Sequence, residues 1–394
     1  MKISRRLMLR LSGLGATTMA LMGCAGQGEG FLSWLEGLFP SASVPGTPAQ
    51  PGAPEAPAPV QPALPPYNAD PLTGEARRTD GRIVGVMVNN ICNSRRQNAR
   101  PQRGIGAADL LIESRVEGGI TRLCAVYHDV DAIPEVGPVR SGRDQFLQLL
   151  MPWQALYCHD GESEACTKFV SVYDYAGLNL GGKGYFGTPV HPLTAHRDPR
   201  GGEVAYEHTE FTSGKEIRSS AKQAGMGLSY PYEETFFRFA DYRTGAENTL
   251  EGMPEAQQVE IAHAAKERYK TQFHYDPQTR QYKMSMYSPA ASAWQHTVDE
   301  LTGQQLGFDN LAVCFAPIAP YPGDAGDVQQ VQYIQGGEAL LFTRGRVQTG
   351  YWQKASPQHP LYLCAEDGTQ LCFNRGKSYL AIVDEDERAG FAWQ

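Results

Sequence analysis

Arg140 and Arg143 stand three residues apart in the string Gly137-Pro138-Val139-Arg140-Ser141-Gly142-Arg143, just ahead of an apolar run that reads as a helix. Two guanidinium forks at a helix start would meet free backbone N–H groups and the positive end of the helix dipole, a combination that binds anions. Arginine holds phosphate or carboxylate oxygens through paired, coplanar N–H donors, so recognition of such a group is the chemistry expected here. Arg100 and Arg122, with Asn89-Asn90 at a strand end and His159, are candidates for the same rim. An arginine stays protonated, so proton transfer there would fall to His159, His208 or a carboxylate. The candidate ligand-binding set is Arg100, Asp109, Glu117, Arg122, Arg140, Arg143, His159 and His208. A structural arrangement competes with it, in which Arg140 and Arg122 form ion pairs with Asp109, Glu113 or Glu117 and pin loops. No catalytic residue is assigned, because the chain has no nucleophile motif such as G-x-S-x-G.

Other chemistry-bearing residues carry weaker signals. His191, His196, Asp198 and His208 are of metal-ligand types, but no spacing among them is diagnostic, and no metal or cofactor is expected. Gly181-Gly182-Lys183-Gly184 lacks both P-loop spacing and a preceding strand and reads as a flexible loop. Besides Cys24 the cysteines are Cys92, Cys124, Cys158, Cys166, Cys314, Cys364 and Cys372. In an exported chain the pairs closest in sequence, Cys364 with Cys372 and Cys158 with Cys166, are either bridged or simply buried as thiols. Trp352 and Tyr351 are expected in core packing, and the acidic run at 384–387 as a solvated end.

These residues need elements to hold them. Residues 82–88, 120–127 and 153–158 read as strands. Ser141 is placed to cap a helix over 143–151, with Phe146, Leu147, Leu149, Leu150 and Met151 on one face. A second helix begins at Ser213, where Glu216 completes a capping box, and ends near Gly225. Strands alternating with helices predict an α+β class, with an α/β-type sandwich on a mixed sheet over residues 67–245. From Leu311 onward, turn signals at Gly336-Gly337, Arg344-Gly345, Asp367-Gly368 and Arg375-Gly376 predict a smaller, mostly antiparallel β domain over 255–390.

The N-terminal residues speak to location. Lys2, Arg5, Arg6 and Arg10 precede a short apolar stretch ending in Leu21-Met22-Gly23-Cys24, a lipobox-like sequence with Cys24 as the acceptor of lipid such as palmitate-bearing diacylglycerol. Arg5-Arg6 also fits a twin-arginine export signal. Residues 1–23 are thus a signal peptide and 24–66 an anchor and Pro-rich tether, about 3 Å per residue where extended. Loss of the leader's four cations moves the formal charge from −8 to −12, which argues against a nucleic-acid partner.

Beyond these readings, Ala108-Asp109-Leu110-Leu111-Ile112-Glu113, Val116-Glu117-Gly118-Gly119-Ile120-Thr121-Arg122 and the Gly137–Arg143 string resemble the YerB-like family of bacterial lipoproteins. Asp70-Pro71-Leu72-Thr73-Gly74, Arg100-Pro101-Gln102, His208-Thr209-Glu210-Phe211-Thr212-Ser213, Asp309-Asn310-Leu311-Ala312-Val313 and Gly350-Tyr351-Trp352-Gln353-Lys354 extend the likeness over the body. The resemblance implies an N-terminal α/β domain joined to a β-rich one on a cell-surface lipoprotein, and no established reaction. Thr209 and His159-Asp160-Gly161-Glu162-Ser163 depart from the family pattern. The function expected is a membrane-anchored, extracytoplasmic binding or regulatory protein, its partner a cell-wall component or an envelope protein. The alternative is an enzyme acting on phosphate-linked cell-wall precursors, for which Asp109 followed by Arg140 is reminiscent of LytR-CpsA-Psr transferases.

Overall fold

In a computed structural model, residues 67–181, 191–233, 235–324 and 326–394 are described. The leader, the lipobox and the tether fall outside them, as do Gly182, Lys183 and Gly184. The N-terminal half supplies Val84–Asn89 (β1), Leu110–Arg115 (β2), Thr121–Tyr127 (β3), Leu156–Cys158 (β4) and Asn179–Leu180 (β5). β1 pairs antiparallel with β3 and parallel with β4, and β3 pairs antiparallel with β2, so this is a mixed sheet. Its strands are rich in Val, Leu and Ile and buried on both faces, as covered sheets are.

The C-terminal half is mostly antiparallel, and it does not stand apart. Ser378–Asp384 lies parallel to β2, from Leu110 opposite Ser378 to Ser114 opposite Ile382, and parallel to Asn310–Ala316 on its other side. Beyond it run Gly337–Thr343, Arg346–Gln353 and Tyr362–Cys364, so both halves share one ten-stranded sheet. The hairpin at Arg344-Gly345 has both turn residues at positive φ, the geometry that suits strand twist. The expected meander is thus interrupted, because the last long strand inserts between β2 and Asn310–Ala316 instead of adding at the edge.

A six-stranded sheet including Gln258–Ala264, Tyr269–Asp276 and Gln281–Ser288, antiparallel along these three, belongs to the mostly antiparallel β domain expected over 255–390, and alternation in Gln258-Val259-Glu260-Ile261 is the local signal of its first, half-buried strand. Its Val259, Ile261, Phe273, Tyr282, Met284 and Met286 share one core with Leu111, Leu123, Ala125, Leu311, Phe342 and Tyr379 of the large sheet. On the opposite face, Phe146, Leu147 and Leu150 of the helix Asp144–Leu150 pack with Met87, Ile112, Cys124, Val126 and Leu380. Side-chain parity along each strand therefore assigns residues to one of two faces.

Helix details refine the sequence reading. The first helix starts at Asp144 with Arg143 in the capping position and no side-chain cap, so Ser141 does not cap it, and Arg140 precedes it by a turn. At Ser213 half of the capping box forms: Ser213 Oγ accepts from Glu216 N, while the Glu216 carboxylate accepts from that hydroxyl instead of from the Ser213 backbone N–H, and the helix runs Gly214–Gln223. Ser163 caps a further helix, Glu164–Val172, by accepting from Cys166 N. The seven cysteines of the described residues are free thiols. Cys158 and Cys166 belong to the cores on opposite faces of the sheet, and Cys364 faces Gln370, not Cys372. Trp352 is buried and donates to Phe315 O at 2.7 Å, as core packing requires. Asp384, expected in solvent, is buried and pairs with Arg115 at 2.7 Å.

Candidate functional site

The segment 138–140 continues along β1 where β4 ends: Asn89 N donates to Pro138 O at 2.8 Å and Arg140 N to Met87 O at 3.0 Å. Arg140 O then accepts from Asp160 N at 3.2 Å, which sets the loop after β4 against the arginine segment. In the β1–β3 register Asn89 stands opposite Arg122 and Met87 opposite Cys124, so Arg122 shares the helix face of the sheet with Arg140 and Arg143. Three guanidiniums meet there by a parity rule and one loop.

Their partners differ. Arg143 is buried and paired with Glu117, Nε to Oε1 at 2.6 Å and Nη2 to Oε2 at 3.0 Å. Arg122 is buried with no carboxylate partner among the described residues. Its Nη1 donates to Ser141 O at 2.5 Å, and its Nε has no partner among them. Burial pulls its pKa down to about 9, with the charges of Arg143 and Arg140 acting in the same direction. Arg140 is half-buried, and its guanidinium has neither a hydrogen bond nor an ion pair among the described residues. Burial and Arg143 lower its pKa, while Glu207, Asp160 and Glu210 oppose them from beyond contact. Three cations thus share one bonded carboxylate, an arrangement that favours an added anion. The helix behind them is too short to contribute the dipole effect that the sequence suggested.

The two candidate proton carriers are fixed. His159 is buried with Nδ1 bound to Gly161 O at 2.7 Å and Nε2 to Asn179 Oδ1 at 2.6 Å. His208 accepts from Asn89 Nδ2 at 2.9 Å and reaches Gln97 Oε1 with Nε2 at 2.9 Å. Burial lowers the pKa of both. With both ring nitrogens committed, each is a positioning group. The titratable pair that the sequence reading missed is Glu210 with Asp160. Burial first, then the charge of neighbouring Asp160, pushes the Glu210 carboxyl up to about 7, against the pull of Arg197, whose Nη2 donates to Glu210 Oε2. They lie fifty residues apart, and no local pattern joins them.

Two expected members are elsewhere. Asp109 is committed to His128, accepting from its N at 2.9 Å and bonding its Nδ1 at 2.7 Å. From β2 to the Arg140 segment there are three interstrand steps of about 4.8 Å each. The Asp109–Arg140 outline of the transferase analogy therefore does not close. Arg100 lies on the other face, donating from Nε to Asn90 Oδ1 and from Nη1 to Tyr287 O, both at 2.9 Å. The residues weighed as metal ligands are dispersed: His196 bonds Glu135 and Glu216, and Asp198 bonds Arg103.

Residues 72–227 match the family described as "Protein of unknown function (DUF3048) N-terminal domain", and residues 259–380 match its "C-terminal domain" counterpart. The chain is 27% identical over 327 residues to "Putative lipoprotein YerB" of Bacillus subtilis (strain 168), covering 82% of this chain and 88% of that protein. The crystal structure of YerB protein from Bacillus subtilis superposes with a TM-score of 0.65 at 25% identity, covering 83% of this chain and 99% of that one.

Proposed function

Because the chain belongs to the YerB-like family, with both DUF3048 domains in order, we propose that it is a lipid-anchored envelope lipoprotein that binds a phosphate- or carboxylate-bearing ligand through Arg140. The anchor is Cys24, at the end of the lipobox-like string, with the body carried on the extracytoplasmic side of the cell membrane. The relative's printed name, "Putative lipoprotein YerB", supports a lipid anchor. Among the described residues no helix is long and apolar enough to cross a membrane. The ligand reading rests on one observation: Arg140 is half-buried beside two other guanidiniums and has no hydrogen-bond or ion-pair partner among the described residues. A bound phosphate or carboxylate would take up its N–H donors and offset the repulsion from Arg143 and Arg122. Ligands of that kind occur on cell-wall precursors and wall polymers, and on acidic envelope proteins.

The test is thermal unfolding of the leaderless chain carrying Cys24→Ser, with and without pyrophosphate or a short isoprenyl pyrophosphate. A ligand at a hundred times its dissociation constant adds about 2.7 kcal/mol, a rise of several degrees. Arg140→Gln should abolish the rise without lowering the starting midpoint. No rise with either anion would overturn the reading. Labelled-palmitate incorporation that persists in Cys24→Ala would remove the anchor.

A second reading, an enzyme acting on phosphate-linked precursors, draws on the Asp160–Glu210 pair beside Arg140, which would supply a proton near neutral pH. Phosphate release from an isoprenyl pyrophosphate that disappears in Glu210→Gln would favour it over binding alone.

A further inference from the structure

Arg140 stands at one end of a row of residues that crosses two short strands and ends on an exposed aromatic ring. Glu210–Phe211 runs beside the arginine segment, with Val139 N donating to Glu210 O at 2.7 Å. His196–Arg197 runs antiparallel beside Glu210–Phe211, with Arg197 opposite Glu210. Two interstrand steps of about 4.8 Å therefore lie between the Arg140 segment and Arg197. Arg197 donates from Nη2 to Glu210 Oε2 and from Nη1 to Tyr206 O at 2.9 Å, and its guanidinium lies over the Tyr206 ring, 3.9 Å from the centroid. Tyr206 is nonetheless 71% exposed. The cation backs one side of the ring and holds it in place, while the other side is left to solvent.

The polar groups between the ring and Arg140 are of both kinds. The two guanidiniums only donate hydrogen bonds, and Asp160, Glu207 and Glu210 accept them when ionised. All three carboxylates lie close enough to act on the Arg140 charge. Arg140, Arg197, Asp160, Glu207 and Glu210 each keep solvent-exposed surface, and no unpaired nitrogen of Arg140 is sealed from solvent. A bare anion uses only the donors of such an array and leaves Tyr206 without a contact. A sugar uses all of it. Each hydroxyl both donates and accepts, so it bridges a guanidinium and a carboxylate, and one side of a sugar ring is a row of C–H groups that packs on the negative face of an aromatic. An acidic substituent on that sugar then meets Arg140, beside which Arg122 and Arg143 lie with the single bonded carboxylate of Glu117.

We infer that the Arg140 site extends across Glu210 to Tyr206 and takes a sugar bearing a phosphate or a carboxylate. The acidic group sits on Arg140, the hydroxyls lie among Asp160, Glu210 and Arg197, and the C–H side of the ring packs on Tyr206. The inference rests on Arg140 as an anion site and adds the class of molecule that carries the anion.

The experiment is isothermal titration of the leaderless Cys24→Ser chain with glucose 1-phosphate and glucuronic acid. Inorganic phosphate and acetate are the ringless controls, glucose is the uncharged one, and inorganic pyrophosphate reads the anion site by itself. Binding of glucose 1-phosphate identifies a phosphate as the acidic group, and binding of glucuronic acid a carboxylate. The sugar acid that binds should do so about tenfold more tightly than its ringless control or glucose, the worth of one well-placed aromatic contact. Tyr206→Ala should remove that factor and leave pyrophosphate binding unchanged, Tyr206→Trp should restore it, and Arg140→Gln should abolish binding of both kinds of ligand. Pyrophosphate binding without binding of either sugar acid at millimolar concentration overturns this inference and leaves the anion site standing. Failure of pyrophosphate and of both sugar acids overturns the two together. Sugar-acid binding that Tyr206→Ala leaves at wild-type strength, or that Arg140→Gln does not weaken, also overturns the inference.

Discussion

Arg143 and Glu117 are joined by two parallel hydrogen bonds, 2.6 and 3.0 Å, while Arg140, three residues earlier, has no such partner. The same motif thus supplies one guanidinium that holds the fold and one that is free to meet a ligand. Glu117→Gln leaves a largely buried arginine without its carboxylate and should cost about 3 kcal/mol. Arg140→Gln gives up no ion pair and relieves repulsion from Arg143, so it should cost less than about 1 kcal/mol. Denaturant titration of both variants checks the contrast. Equal losses would mean that Arg140 is structural.

Asp144 gives the fold a pH dependence. Burial pushes its carboxyl up to about 6; Oδ2 accepts from Tyr321 OH at 2.8 Å, and Oδ1 has no partner among the described residues. An acid whose folded pKa is raised stabilises fully below its unfolded value near 4, and that stability is lost as pH rises through about 6. Asp144→Asn should therefore be more stable than the parent at pH 8, by up to about 3 kcal/mol, since one pKa unit is worth about 1.4 kcal/mol. The advantage should vanish near pH 4. An advantage that is the same at both pH values would show that the ionised carboxylate is not the cause.

The buried Glu113 carboxylate should couple its hydrogen-bond donors. Tyr379→Phe and Thr271→Val each remove one donor from the same buried oxygen, and each should cost about 1–3 kcal/mol in chemical denaturation. The double variant should depart from the sum, because the groups share one acceptor. Strict additivity would argue that Oε2 of Glu113 does not couple them.

The seven free thiols among the described residues make a simple prediction about redox behaviour. Among them six are buried, and Cys372 is intermediate in exposure. A thiol reagent should label Cys372 slowly in the native body and the others only on unfolding, and dithiothreitol should leave the midpoint unchanged. A drop in midpoint on reduction would reveal a bridge.

The local pattern was enough for several elements. Apolar β-branched runs marked β1 and β3, and Ser213 with Glu216 marked a helix start, because these signals lie within a few residues of one another. The motif strings carried the family and brought Arg122, Arg140, Arg143 and Glu117 forward as candidates. What they could not carry was partnership. Charge and spacing alone allowed Asp109, Glu113 and Glu117 equally as partners of the arginines. The β1–β3 register and side-chain parity decided among them, leaving Asp109 with His128, Glu113 on the far face and Glu117 on Arg143.

The same physics explains the other differences. Which face a strand residue occupies is fixed only once its neighbours are known, and those neighbours come from chain segments between about ten and several hundred residues away. Ser378–Asp384 joins β2 because an edge otherwise left with unpaired N–H and C=O groups is covered there, joining two sequence halves in one sheet. Asp160 meets Glu210, and Arg100 meets Tyr287, by the same long-range closure. The sequence by itself determined which residue types and local elements were available, and through its motifs the family. Only the tertiary structure decided which charges were neutralised, which remained open to a ligand, and on which side of the sheet each stands.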